Sequence, residues 1–206
     1  MAALIVFAHG AGAPASHPWM RAWAERLSPC GTVVTFDYPF MRQGSKRPDR
    51  LPVLVAAHQE AITQASQQAP DQPLVLAGKS MGSRIGCHVA AGKQHPVRAL
   101  VCFGYPLRSA SSGKSRADVL AQVPVPILFV QGTRDPLCPL DELQALLPTL
   151  PVPHELEVIN DGDHSLIVAK RTLNANHETQ ATVDARIAAR VQSFITKHTA
   201  GKIDRG

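Results

Sequence analysis

No run in this chain approaches the roughly 18 consecutive apolar residues that a membrane-spanning helix needs. The apolar start Leu4–Ala8 has no basic residue before it and is too short for a secretory signal. An unexported, cytoplasmic protein with no membrane partner is therefore predicted. Aromatic residues are scarce, at 5% of the chain. Lysine and arginine exceed aspartate and glutamate, giving a net charge of +5, yet the charges are scattered and few aromatics stand among them. A nucleic-acid groove gathers basic and stacking side chains in one place, so no nucleic-acid partner is expected. The four cysteines, Cys30, Cys87, Cys102 and Cys138, are far apart. They form no C-x-x-C pair, and no histidine stands at metal-ligand spacing. Free thiols in a reducing compartment and no metal site are the expectation. Internal repeats and low-complexity blocks are also missing, which leaves an ordinary globular domain.

What is present is alternation. The 206 residues suit one domain, expected over 1–198, with a flexible C-terminal tail at 199–206. Apolar runs at 3–8, 32–37, 73–77, 98–103, 126–131 and 154–159 read as strands, most of them near-continuous, as strands buried on both faces are. Between them apolar residues recur at helical spacing: Trp19, Trp23 and Leu27; Leu51, Leu54, Val55, His58 and Ile62; Met81, Ile85 and Val89. Val183, Ile187, Val191, Phe194 and Ile195 close the series. Strand and helix in turn predict a doubly wound α/β sheet with right-handed crossovers. Working residues in such sheets sit at the carboxyl ends of strands. Two polar loops, Asp37–Pro52 and Gly104–Arg116, open onto that edge.

The segment LVLAGKSMGS, residues 74–83, admits two readings. Gly78-Lys79-Ser80 could end a phosphate-binding loop, but that motif needs a glycine five residues earlier, where Pro73 stands. Residues 73–77 are moreover the strand itself, so no glycine-rich loop exists to wrap a phosphate. The same residues also fit G-x-S-x-G between a strand and a helix, the sharp turn that presents a nucleophilic serine. Gly78 and Gly82 flank Ser80 where larger side chains would clash, and Gly82 with Gly86 is expected to let the next helix lie close to the sheet.

A serine hydroxyl needs a base to take its proton, and the base needs an acid to hold its tautomer. Asp135 follows the fifth strand and His164 the sixth, in the required order. Asp161 and Asp163 lie too near His164 to come from a separate strand, although Asp163 can orient its loop. Asp37 ends the second strand, on the far side of the nucleophile strand. An oxyanion hole is expected from the backbone N–H of Met81 and of Ala11, with Gly12 the competitor to Ala11. His9 is read as a support for that loop, His58 as a packed residue, and Trp19 and Trp23 as core. Cys138 is read as a small buried residue, and Arg84 as a brace for the helix after Ser80.

Ser80, Asp135, His164 and the His9-Gly10 loop together resemble the α/β-hydrolase superfamily over nearly the whole chain. The segments TFDYPF, RPDR, GKSMGSR, GYPL, QGTRDP and GDHSL resemble compact bacterial predicted hydrolases near the dienelactone hydrolases. Those hydrolases carry cysteine where this chain has Ser80, so their substrate does not transfer. The resemblance implies a single-domain α/β-hydrolase fold without its usual first two strands. It predicts a six-stranded, mainly parallel sheet in the order 2-1-3-4-5-6, helices on both faces and no cap domain. Only Gly104–Gln122 occupies the place where caps enter, so an open, shallow site is expected.

The chemistry so implied is cleavage of a small ester through an acyl-enzyme, with no metal or organic cofactor. Gly12, Lys79, Tyr38 and Tyr105 are the expected substrate-binding residues. Thioester or small-peptide cleavage and a noncatalytic interaction module are the alternatives. Arg42, Lys46, Arg47 and Arg50 in one loop, and Arg108, Lys114 and Arg116 in the other, join Lys79 and Arg134 as cations near the carboxyl edge. Gathered there, they would favour an anionic substrate; spread out, they are solvated or ion-paired. A monomer or a homodimer is compatible with the sequence.

Overall fold

The computed structural model describes residues 2–200. Six strands form one sheet: β1 (Ala3–Ala8), β2 (Gly31–Phe36), β3 (Leu74–Lys79), β4 (Val97–Phe103), β5 (Ile127–Gly132) and β6 (His154–Ile159). Their order is β2-β1-β3-β4-β5-β6, and every pairing is parallel. The chain steps outward from β1 to β2 and then returns to place β3 on the other side of β1. At such a switch point the loops leave the carboxyl ends in opposite directions, which opens a crevice there.

The central strands lack a polar face because helices cover both sides. Successive side chains of a strand point to opposite faces, so Leu4, Val6, Ala8, Leu74, Leu76, Leu100 and Phe129 share one core. Ile5, Phe7, Val75, Ala77, Val101, Phe103 and Val130 share the other. The first core is closed by α3 (Leu51–Gln68), α4 (Met81–Ala91) and α5 (Leu140–Leu146), the second by α1 (Pro18–Leu27) and α7 (Gln180–Thr199). The α7 stripe of Val183, Ile187, Val191, Phe194 and Ile195 is buried as its spacing predicts, each side chain contributing roughly 1.5–3 kcal/mol. Thr179 starts this helix by accepting from Thr182 N–H while the Thr182 hydroxyl accepts from Thr179 N–H.

Three differences from the sequence reading are local. Leu51 lies at the exposed start of α3, whereas Leu54, His58 and Ile62 are buried. The short helices α2 (Pro39–Arg42), α5 and α6 (Lys170–Ala175) carry too few turns for a legible period. Thr199, expected to begin the tail, is the last helical residue. It is buried, with its hydroxyl donating to Ile195 O at 2.8 Å; residues 201–206 of that tail lie outside the described residues. Residues 104–122 hold only an isolated bridge between Arg108 and Ser115 and a 3-10 turn at Leu120–Gln122. β6 is an edge strand whose Glu155 pairs with Arg190 and Lys197 of α7 at 2.7 and 2.8 Å, which charges an edge otherwise open to strand addition.

Candidate active site

β3 ends at Lys79 and α4 begins at Met81, leaving Ser80 alone at the turn with φ 52° and ψ −113°. For a residue with a Cβ, a positive φ of this kind costs roughly 1–3 kcal/mol and persists only where the surroundings impose it. They do so here. Ser80 N–H donates to Phe103 O at 2.9 Å, and the Ser83 hydroxyl donates to Ser80 O at 2.6 Å. A Cβ on Gly78 would stand 2.2 Å from Ser83 N, and one on Gly82 would stand 2.3 Å from Ala8 O. Only glycine at both places lets the strand fold back on the helix and the helix start against β1.

The hydroxyl so exposed meets two groups from distant parts of the chain. His164 Nε2 accepts from Ser80 Oγ at 2.8 Å, and His164 Nδ1 donates to Asp135 Oδ2 at 2.7 Å. Asp135 also accepts from Gln131 Nε2 at 2.7 Å and from Leu137 N–H at 2.9 Å. Burial works to raise the Asp135 pKa, but the hydrogen bond and charge of His164, with the Gln131 and Leu137 donors, outweigh it and hold the carboxyl below its ordinary value. An ionised Asp135 fixes the His164 tautomer that leaves Nε2 free to take the serine proton. Asp163 Oδ1 accepts from Ser165 and Ile167 N–H at 2.7 and 3.0 Å, shaping the loop that carries His164. Asp161 pairs with Arg134 at 3.0 Å instead.

Across from Ser80 runs the loop after β1. A Cβ on Gly10 would lie 3.5 Å from Ser80 Cβ, so the loop passes in contact with the elbow. Among the described residues, neither Ala11 N–H nor Met81 N–H is given to a protein acceptor. Met81 opens α4, where the first-turn N–H groups have no intrahelical partner. His9 is fully buried beneath this loop: Nδ1 donates to Gly10 O at 2.6 Å and Nε2 accepts from Tyr38 N–H at 3.1 Å. Burial holds its pKa down against the Gly10 carbonyl and Asp37. An Nε2 that accepts from Tyr38 N–H carries no proton, so the 3.5 Å approach of His9 to Asp37 is not an ion pair. Asp37 accepts from Ala15 N–H at 2.7 Å and so pins the far end of the loop.

A cavity of ≈ 310 Å³ opens over these groups, lined by Gly10–Ala13, His17, Trp19, Met20, Lys79, Ser80, His164 and Ser165. Ala11 and Gly12 divide it from a second cavity of ≈ 310 Å³ lined by Met41, Gly44, Ser45 and Lys46. Gly12 and Lys79 thus stand where substrate contact was expected. Tyr38 and Tyr105 do not. Both are fully buried in the core: Tyr38 shares a 3.1 Å hydrogen bond with His58 Nδ1, and the Tyr105 hydroxyl donates to Arg116 O at 2.8 Å. A buried phenol needs such a partner, and with those bonds made neither ring faces the cavity. Trp19 departs from the sequence reading in the other sense, because it lines the cavity and donates through Nε1 to Ser165 O at 2.9 Å. Trp23 is core, as read.

Gln131 escaped the sequence reading. Its only signal is a polar residue closing an otherwise apolar buried strand four positions before Asp135. The cations of the loops do not converge on the site. Arg108 pairs with Glu142 and Arg134 with Asp161, while Lys46 borders the second cavity and Lys79 the first. Among the described residues no group of three or more His, Cys, Asp or Glu side chains could hold a metal ion, and no helix is long and apolar enough to cross a membrane.

Solved structures share this architecture. An alpha-beta serine hydrolase homologue from Coxiella burnetii superposes with a TM-score of 0.68 at 18% identity, over 95% of this chain and 84% of that one. Est1E from Butyrivibrio proteoclasticus, solved with ferulic acid bound, gives 0.71 at 16% identity over 97% and 90%. A dienelactone hydrolase from Anabaena variabilis gives 0.69 at 21% identity over 96% and 87%. At such identities the likeness is one of fold. Membership comes from the sequence itself: residues 1–196 match the alpha/beta hydrolase domain family, and the chain belongs to that family.

Proposed function

We propose that the chain is a serine hydrolase of small carboxylic esters, with Ser80, His164 and Asp135 as its catalytic triad. The observation that carries this reading is the unbroken hydrogen-bonded series from Ser80 Oγ through His164 to Asp135, set on a strained turn. Ser80 Oγ attacks the ester carbonyl while His164 Nε2 takes its proton. The oxyanion that forms lies between the N–H groups of Met81 and Ala11. Collapse breaks the bond to the alcohol oxygen, which leaves with the proton from His164. Water then attacks the acyl-enzyme, His164 takes a proton from it, and the carboxylic acid departs as Ser80 is reprotonated. Asp135 stabilises the imidazolium in both halves. No step draws on a metal or organic cofactor.

The cavity of ≈ 310 Å³ has little room for long chains, and among the described residues no cap closes over it. Hydrolysis of p-nitrophenyl esters from acetate to octanoate, by the wild type and by Ser80→Ala, tests the reading once circular dichroism has established that both are folded. Turnover that depends on Ser80 and falls with chain length is expected. A folded wild type inactive across the series would contradict cleavage of simple esters and leave two readings, a narrow specificity or the noncatalytic module.

A further inference from the structure

The proposed reaction does not say which esters the site takes, and Lys79 bears on that choice. The residue is 9% exposed. The ammonium donates to the carbonyl oxygen of His164 and stands 5.5 Å from the centroid of the Trp19 ring, whose face attracts it weakly. Both neighbours line the cavity over Ser80, as Lys79 does. An ammonium has three N–H groups, and among the described residues this one has a single hydrogen-bond acceptor and no ion pair.

The two carboxylates whose charge reaches it, Asp135 and Asp163, are engaged elsewhere. Asp135 receives His164, Gln131 and Leu137, and Asp163 receives the backbone of Ser165 and Ile167. Among the described residues no aspartate or glutamate lines the cavity. A buried charge without a partner is costly, and burial pushes the Lys79 pKa down to about 8 against the pull of those two aspartates. The group remains mostly an ammonium at neutral pH. An anion entering the cavity would supply the acceptor the protein withholds, where the attraction is stronger than in water.

We infer that the esters taken by this site carry a second, ionised carboxylate, which Lys79 receives. This rests on the ester-hydrolase reading. A cavity of ≈ 310 Å³ suits monoesters of short dicarboxylic acids. The alternative role for Lys79 is to brace the His164 loop alone, which would affect charged and neutral substrates alike.

Monoethyl glutarate and its neutral counterpart, in which the free carboxylate is a primary amide, separate the two. The ratio of their kcat/KM values at pH 7 is the readout, with ethanol release as the assay. A charge-assisted hydrogen bond gives the wild type a preference of about tenfold or more for the carboxylate. Lys79→Met should bring the ratio to about one, and Lys79→Arg should keep it on the carboxylate side. Equal loss on both substrates in Lys79→Met, with the wild-type ratio intact, would overturn the inference. Calorimetry with Ser80→Ala adds a readout free of turnover: monoethyl glutarate should bind more tightly than the amide, and adding Lys79→Met should remove the difference. Ser80-dependent hydrolysis of neutral esters without carboxylate-selective turnover or binding defeats the inference and leaves the ester hydrolase standing. Lys79-dependent carboxylate binding with no hydrolysis of any ester upholds the carboxylate site and defeats the hydrolase reading.

Discussion

Gly82→Ala and Gly86→Ala add the same methyl group one helical turn apart on α4, and the structure sets opposite outcomes for them. A Cβ on Gly82 would meet Ala8 O at 2.3 Å, Ala8 C at 2.7 Å and His9 O at 2.8 Å. All three atoms are backbone at the end of β1, so no rotamer change relieves the overlap and α4 must withdraw from the sheet. Overpacking a core typically costs about 1–3 kcal/mol, and a rigid neighbour places this variant at the upper end. A Cβ on Gly86 would meet Leu100 Cδ2 at 3.6 Å, His58 Cε1 at 3.8 Å and Leu76 Cβ at 3.8 Å, which are ordinary contacts. There alanine gains its usual advantage of about 0.5–1 kcal/mol over glycine in a helix interior. The sequence gives both glycines one role; the packing requires glycine only at Gly82. A gap of roughly 3–4 kcal/mol separates the variants, about 10 °C in Tm for a domain of this size. Urea and thermal unfolding followed by circular dichroism measure it. Gly82→Ala should also lose esterase activity, because the start of α4 carries Ser80 and Met81. A Gly82→Ala protein with wild-type stability, or a Gly86→Ala protein less stable than Gly82→Ala, would refute the packing argument.

Replacing Asp135 by Asn leaves His164 Nδ1 facing an uncharged amide and should lower kcat by roughly three to four orders of magnitude, measured by p-nitrophenyl acetate turnover in a variant shown to be folded. Tyr38→Phe removes the hydroxyl shared with His58 and should cost about 1–3 kcal/mol of stability in urea unfolding. Its KM for esters should stay at the wild-type value, since the ring does not reach the cavity. Burial, with a smaller push from His95, lowers the His58 pKa from 6.5 to about 3. Between those values the unfolded chain binds a proton that the folded one refuses, so stability is full above pH 6.5 and declines as pH falls. His58→Gln should flatten that decline in denaturation midpoints measured from pH 7 to pH 4.

The sheet is legible because strands covered by helices on both faces must be apolar along their length: β1 is apolar throughout, and β3 and β5 are apolar up to the Lys79 and Gln131 that stand at their carboxyl ends. Ser80, Asp135 and His164 stand out by position: each follows a strand whose end the apolar pattern marks, and the structure brings all three within hydrogen-bond reach. The tyrosines show where such reading stops. Tyr38 and Tyr105 also follow strands, but whether a ring there turns to the cavity or into the core depends on where α3 and the Arg116 backbone lie, which local sequence does not encode. Trp19 fails in the mirror sense. Its helical spacing puts it on the stripe of Trp23, yet its place at the first turn of α1 brings its N–H to Ser165, 146 residues away. Gln131 is hidden because one polar residue at a strand end looks like a boundary, and its meaning depends on the Asp135 carboxylate that packing sets beside it.

The central claim is that the Ser80 hydroxyl is activated by His164, and covalent labelling tests it without any assumption about substrate. The folded wild type is treated with a fluorophosphonate, and intact mass and peptide mapping locate the adduct. One adduct per chain on Ser80 is expected, with the labelling rate falling sharply in His164→Ala. A folded protein that stays unlabelled, or that is labelled at Ser80 equally fast without His164, would contradict it.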